Sequence, residues 1–380
     1  MSGLTRRLRG RRDERGAVAV LVAILTSTGV LLGMGALVVD VGGMYAERAQ
    51  LQNGADSGSL AVALGCAAGP LTCNNSTDAA GPAGEHANSN ANDGTANVDR
   101  VCGEDTGGIL PTCSSDPSCT ADVPPSVNYA QVKTSTLDKG STLLPPAFGQ
   151  ALLGSSYQGN TIHACAQAAW GSPGSLDDTL AFTLSACEWI AATSNGTVFA
   201  MGPPYPANFP SAYTGTVPEA GVPGAEQVLQ AHGSGNACSD SPAGWDLPGG
   251  FGWLDDPEGN CSVHIDINGN YGVDTGTSAS NDCKAALADA QQNHTVLYLP
   301  VFDGLGGTGH NGQYHLKGFA AFVVTGYSLP GAVRASAISG EKYCKGADKC
   351  IYGFFTEGLV NKPGEIGGSD LGARIVEMIG

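Results

Sequence analysis

Residues Ala17 to Val39 (AVAVLVAILTSTGVLLGMGALVV) contain no charged side chain over 23 positions. A helix rises about 1.5 Å per residue, so this run reaches about 35 Å, enough to cross a hydrocarbon core of about 30 Å with some tilt. Its only polar side chains, Thr26, Ser27 and Thr28, can return their hydroxyls to the helix's own carbonyls. A buried core helix of this length without a charge is uncommon, so the expectation is a membrane span. Arg6, Arg7, Arg9, Arg11, Arg12 and Arg15 precede it against Asp13 and Glu14, and Asp40 follows it. Basic residues collect on the cytoplasmic side, which predicts a cytoplasmic N-terminus and an extracytoplasmic C-terminal region. A secretory signal would have an apolar core of about 7–15 residues and a small-x-small cleavage site. This run is longer and no such site follows before Tyr45, so a retained single-pass anchor in the cell membrane is expected.

The net charge is -17. The first 16 residues contribute six arginines and two acids, a net +4, so the remainder carries -21. An acidic exterior argues against nucleic acid and anionic lipid as partners. All 12 cysteines lie beyond the span. On the expected oxidising side they read as disulfides, and the even count allows full pairing. No C-x-x-C pair occurs and the histidines are scattered, so zinc is not expected. Short loops favour Cys66–Cys73, Cys261–Cys283 and Cys344–Cys350, and a longer one allows Cys187–Cys238, while connectivity as a whole stays open. Gly and Pro make up about a fifth of the chain, which implies many turns around a modest core.

The helical pattern continues past the membrane through Tyr45-Ala-Glu-Arg-Ala-Gln-Leu-Gln, with no proline before Pro70. Small or apolar residues at Ala49, Leu51, Ala55, Leu60 and Ala63 predict one helix to about Leu64, weakest at Gly42-Gly43, Gly54 and Gly58. Residues 66–127 are Asn-, Gly- and Cys-rich and read as an irregular, disulfide-tied region with a short helix near 84–92. Beyond it, strands are expected over 128–137, 160–170, 197–201, 295–302, 314–327, 332–339 and 350–355. Helices are expected over 143–153, 224–231 and 284–292, and the run 179–193 reads as either. The strands from 295 onward, separated by Gly-rich and Pro-Gly turns, predict an antiparallel meander. The tail from Asn361 is expected to be peripheral. The fold class is therefore α+β: a single transmembrane helix extending into a long helix (17–65, after a basic segment 1–16), then the irregular region and a β-rich, disulfide-containing extracytoplasmic domain with mainly antiparallel strands (128–360), then a tail (361–380).

Gly16-Ala-Val-Ala-Val leading into the span, Asp40-Val41-Gly42 at its end, and Tyr45, Arg48, Leu51-Gln52, Asp56 and Leu60-Ala61 beyond it form a D-V-G-x-x-Y-x-x-R-x-x-L-Q-x-x-A-D-x-x-x-L-A pattern. This resembles the N-terminal module of the TadE/TadG-like proteins of Flp (tight-adherence) pilus systems. The Ala-rich segment ending at Trp170, Cys187-Glu188-Trp189, Gly250–Leu254 and Leu299–Phe302 are also similar to some TadG-related C-terminal regions. The resemblance implies a membrane-anchored, non-catalytic pilus-assembly component, minor-pilin-like or TadG-like. Its implied partners are the lipid bilayer, other pilus or pseudopilin subunits and the assembly platform. The alternative is a membrane-tethered adhesion or ligand-binding module. Prepilins are cut after a Gly with a Glu five residues beyond, but Leu21 stands five residues after Gly16. The von Willebrand A metal motif also fails, because Gly276 takes the place of its middle Ser in Asp274-Thr-Gly-Thr-Ser278. In the span itself, Gly29-x-x-x-Gly33, Gly35 and Ala36 offer close approach to a neighbouring helix.

No enzyme or cofactor is expected. No second D-T/S-G triplet follows Asp274-Thr-Gly276 in a matching hydrophobic setting to supply a carboxylate pair. There is no G-x-S-x-G elbow, and Gly304–Gly309 leads into a strand pattern, so it reads as a hairpin loop. Asp266, Asn268, Asn270 and Asp274 alternate like calcium ligands, but Thr277 stands where the loop's bidentate Glu belongs. The plain reading of those residues is an Asn/Asp/Gly turn.

Overall fold

The structure, a computed structural model, describes residues 15–69, 71–114, 119, 127–150, 154–202, 205, 207–210, 223–231, 249–274, 279–307, 311–344, 346 and 348–379. The chain divides into two compact units, one of residues 1–58, 76–100 and 132–165, the other of 59–75, 101–131 and 166–380. The first helix, α1, runs unbroken over Arg15–Ala68 and contributes to both. None of its glycines interrupts it.

In the first unit α1 meets α2 (Pro82–Asn90), which starts with Pro at its first turn and places Glu85 there. The unit also holds the first half of β1 (Ala96–Glu104), the second half of β2 (Asn128–Thr136) and the start of β3 (His163–Gly171). Its core is built from small residues: Ala55, Ala83, Ala87, Ala96, Val98, Val132 and Ala164 are buried beside Leu51. The sequence of 66–127 reads as irregular, yet it contributes α2 and β1. In the expected helix 143–153, only residues 149–150 are helical, and 151–153 lie outside the described residues.

The second unit is strand-rich. The elements along the chain are β4 (Pro173–Leu180), β5 (Phe182–Ser185), α3 (Ala186–Thr193), β6 (Gln227–Gln230), β7 (Phe251–Leu254), β8 (Ser262–Asp266), β9 (Tyr271–Asp274), α4 (Asn281–Asn293), β10 (Val296–Gly306) and β11 (Gln313–Leu329). After these come β12 (Ala332–Arg334), β13 (Cys350–Thr356), β14 (Gly358–Leu359), β15 (Gly364–Ile366), β16 (Ser369–Leu371) and β17 (Ala373–Met378). Pairing is mainly antiparallel, and the parallel pairs include β10–β5, β11–β16 and β14–β17. The order β10-β5-β7-β9-β11 returns on itself through the β10–β11 hairpin, closing five strands into a ring. Register shifts on β10 at Val301–Gly304 bend that strand as closure requires. A five-stranded sheet, β1-β2-β3-β17-β14, and a three-stranded one, β15-β4-β8, complete the architecture.

β11 shows the physical basis of its strand pattern. Its first half alternates, with Tyr314 and Leu316 buried while Gln313 and His315 face out; from Phe319 onward it is buried on both faces. Phe182, Phe251, Trp253 and Phe302 fill the core beside it, with Phe182 about 5.2 Å from both Phe251 and Trp253 between ring centroids. The ambiguous run 179–193 resolves into both states. It is strand until Ser185, whose hydroxyl caps Cys187 N–H, and helix from Ala186. Ser280 caps α4 in the same way through Cys283 N–H.

Four further expectations fail. Residues 227–230 are a strand: eight residues give a weak helix, and pairing with β13 (Ile351 opposite Leu229) wins. Residues 197–201 are not a strand, because Thr197 and Val198 N–H groups turn back to the Thr193 carbonyl. The strand expected over 332–339 ends at Arg334, and Ser336 Oγ then accepts from Ile338 and Ser339 N–H to hold a turn. Finally, the tail is not peripheral. It supplies β15–β17, buries Leu371, Ala373 and Ile375 in the core, and Leu371 O accepts from Trp189 Nε1 at 3.0 Å.

The bonded disulfides include Cys66–Cys73, Cys102–Cys113, Cys261–Cys283 and Cys344–Cys350. Cys187 is also in a disulfide, while Cys238 lies outside the described residues.

Candidate assembly surface on the N-terminal helix

The lower half of α1 leaves its apolar side chains uncovered. Val20, Leu21, Leu25, Leu31, Leu32, Leu37 and Val38 are all more than half exposed. Water does not tolerate such a surface, whereas hydrocarbon does. Thr26 Oγ1 and Ser27 Oγ bond to carbonyls one turn back, at 2.8 Å to Val22 O and 3.0 Å to Ile24 O, so these two hydroxyls are satisfied within the helix. The helix is long and apolar enough to cross a membrane, which suggests a single-pass anchor.

Above Val39 the helix changes character and the D-V-G pattern divides into two faces. The inward face is set by Leu51, Gly54, Ala55, Gly58, Ser59, Val62, Ala63, Cys66 and Ala67, spaced three or four apart and buried. In the first unit Gly54 and Gly58 oppose Ala87 and Ala83 of α2. A Cβ on Gly54 would come within 3.0 Å of Ala87 Cα, and one on Gly58 within 3.3 Å of Ala83 O. The glycines that weaken the helix on paper are the ones that let α2 approach. Leu51 is 2% exposed and its carbonyl accepts from the buried Thr134 Oγ1 at 2.9 Å. Gln52 Nε2 donates to Asp56 Oδ1 at 2.8 Å and to Cys165 O at 3.0 Å. Half-buried Glu47 has its carboxyl raised above the usual range by burial, partly offset by a hydrogen bond from Thr136. Asp40, at the top of the span, accepts from the backbone N–H groups of Ala147 (2.7 Å) and Phe148 (3.0 Å).

The remaining pattern residues point outward. Tyr45 is 72% exposed, Arg48 is exposed, and Gly42 and Gly43 have nothing within 4 Å of where a Cβ would sit. Gly29 and Gly35, lower on the helix, are equally open. The pattern residues thus divide: Asp40, Leu51 and Gln52 bond to other segments of the unit, Asp56 accepts from Gln52 on the same helix, and Gly42, Tyr45 and Arg48 face away. Residues 16–67 match the family model described as putative Flp pilus-assembly TadE/G-like. The match begins at Gly16, within α1, and ends at Ala67, one residue before the helix does. It supports a role in Flp pilus assembly. Neither the curated proteins nor the solved structures contain a match to the chain.

In the second unit the matched helix ends on β17. Arg374 Nη1 donates to Ala67 O at 2.8 Å, and Thr72 Oγ1 donates to Gly65 O at 2.6 Å. A groove of about 500 Å³ adjoins this end, lined among others by Asp105, Trp170, Asp370 and Arg374. The calcium-like residues form the β8–β9 turn. Asp266 Oδ1 accepts from Asn268 N–H at 2.9 Å and Asn268 Nδ2 at 3.1 Å, an Asx turn, and Asp274 lies on β9 opposite Trp253. Residues 275–278 lie outside the described residues, and among the described residues no three His, Cys, Asp or Glu side chains group as a metal site. Sequence reasoning missed the inward role of Gly54 and Gly58 and the Arg374 contact. The first was hinted at by the small-residue spacings 54/58 and 83/87, but the second has no local signal.

Proposed function

We propose that this protein is a membrane-anchored, non-catalytic component of Flp-type pilus assembly, minor-pilin-like or TadG-like. Its N-terminus lies in the cytoplasm and its folded region outside. The observation that carries the reading is the unbroken α1, which leaves the apolar span and enters the folded units without a hinge. Such a helix transmits position in the membrane directly to the exterior, as packing of subunits through their N-terminal helices requires. The six arginines before the span support the orientation. Deleting the gene and counting surface pili tests the role, and normal piliation would sink it. Protease treatment of intact spheroplasts tests the orientation: the region beyond residue 68 is expected to be cut and residues 1–16 protected.

A further inference from the structure

We infer that the loop of residues 143–148 is a second membrane contact, seated at the lipid interface beside the anchor. This rests on the reading of α1 as a membrane span. Three observations point the same way. First, the loop is fixed at the height of the membrane exit: Asp40, the residue after the uncharged run, holds Ala147 and Phe148 N–H groups in its carboxylate. Second, the loop exposes apolar side chains there, with Phe148 51% and Leu143 38% exposed. Val38, Val39 and Val41 on α1 are exposed beside that exit, so the apolar surface of the span continues onto the loop. Third, residues 141–162 contain no charged side chain and no histidine, in a chain whose charged residues make up 14%.

The chemistry of the occupant follows. A segment that met water alone would carry some of the acid found elsewhere, and one that crossed the bilayer would need its backbone satisfied throughout. A short turn bearing Phe and Leu on an uncharged stretch suits the boundary of headgroups and acyl chains, about 5–10 Å deep, where aromatic rings settle. The Asp40 carboxylate at that boundary is matched by two backbone donors, so its charge does not oppose the placement. The loop would fix the depth and tilt of α1, since a second contact beside the span holds the membrane exit at the height of the interface.

The test uses the full-length protein in nanodiscs of phosphatidylcholine, either plain or brominated near the headgroup end of the acyl chains or near their tails. Phe148→Trp adds a reporter to the four native tryptophans, and the parent's signal is subtracted. Val30→Trp reports the span centre. Bromine near the headgroup is expected to reduce the Phe148→Trp increment about twofold, consistent with interfacial depth. Tail bromine is expected to quench Val30→Trp more strongly. Quenching of Val30→Trp with none of Phe148→Trp would overturn the loop's membrane seat and leave the anchor standing. Quenching of neither would overturn the anchor reading itself. Adding Asp40→Ala is expected to diminish the Phe148→Trp quenching, and an unchanged value would remove Asp40 from the proposal.

Discussion

Arg374 donates from Nη1 to the carbonyl oxygen of Ala67 at 2.8 Å, tying β17 to the last turn of α1. That carbonyl is one of the four a helix end leaves unpaired, and a cation there also meets the negative end of the helix dipole. The same guanidinium reaches Glu357 Oε1 at 2.9 Å, but that pair is half exposed and contributes little. Arg374→Ala is therefore expected to cost about 1–2 kcal/mol, mostly through the orphaned carbonyl. Glu357→Ala should cost well under half of that. Chemical denaturation of the full chain in detergent micelles compares the two, and equal losses would show that the ion pair dominates.

Where α1 meets α2, the contact leaves no room for a side chain at Gly54. Ala there gains helix propensity of about 0.5–1 kcal/mol but meets Ala87 at 3.0 Å, so the two effects are expected nearly to cancel. Leu offers no such balance. Gly54→Leu is expected to lower stability by about 2–3 kcal/mol, seen as a fall in the unfolding midpoint.

The sequence disclosed what depends on period and composition. The apolar run at 17–39, the helix through the weak glycines and the β10–β11–β12 meander are local patterns, and each is present. Two of the failures share a cause, a partner distant in sequence that decides the state, whereas 197–201 and the end of the 332–339 strand are turned by short-range bonds to Thr193 O and Ser336 Oγ. Residues 227–230 are extended because β13 is beside them, and Leu371, Ala373 and Ile375 are buried because α3 and the core reach the tail. For the candidate surface, the pattern named the residues but not their directions. That Leu51 faces in while Tyr45 faces out follows from where α2 and β2 lie, which no helix period reveals.

Glu226 is fully buried, and Ser336 Oγ donates to its Oε1 at 2.7 Å, Thr325 Oγ1 donates to the same oxygen, and Tyr343 Oη donates to Oε2 at 3.3 Å. Burial pushes the carboxyl up from 4.5, and the three hydroxyls offset only part of this. The folded chain thus keeps a proton that the unfolded chain gives up. Stability from this group is complete below the unfolded value and declines as pH rises from there to the raised folded value, above which it is flat. Glu226→Gln keeps an acceptor for Thr325 and Ser336 and removes the titration. The slope of unfolding free energy above pH 4.5 is expected to shrink in the variant, and an unchanged slope would assign it elsewhere. Glu226→Ala strands the buried hydroxyls of Thr325 and Ser336 and is expected to cost about 2–4 kcal/mol.

The outward stripe on α1 makes the reverse kind of prediction. Gly42 has open space around it, so Gly42→Ala should raise the stability of the isolated protein by about 0.5–1 kcal/mol through helix propensity alone. Gly42→Leu should not lower it and should raise it by about 0.5 kcal/mol or more, because Leu keeps most of Ala's helix propensity and the position is open. If Gly42, Tyr45 and Arg48 face a neighbouring subunit, the bulky variant fills the space that neighbour needs. A strain carrying Gly42→Leu is then expected to make fewer surface pili, although its protein is folded and present in the membrane at normal level. Arg48→Glu should do the same through charge reversal on an exposed position that the fold does not use. Pilus counts by electron microscopy, set against the membrane level of the protein, separate the two effects. Normal piliation in both variants would mean that this face is not where the protein meets its partner.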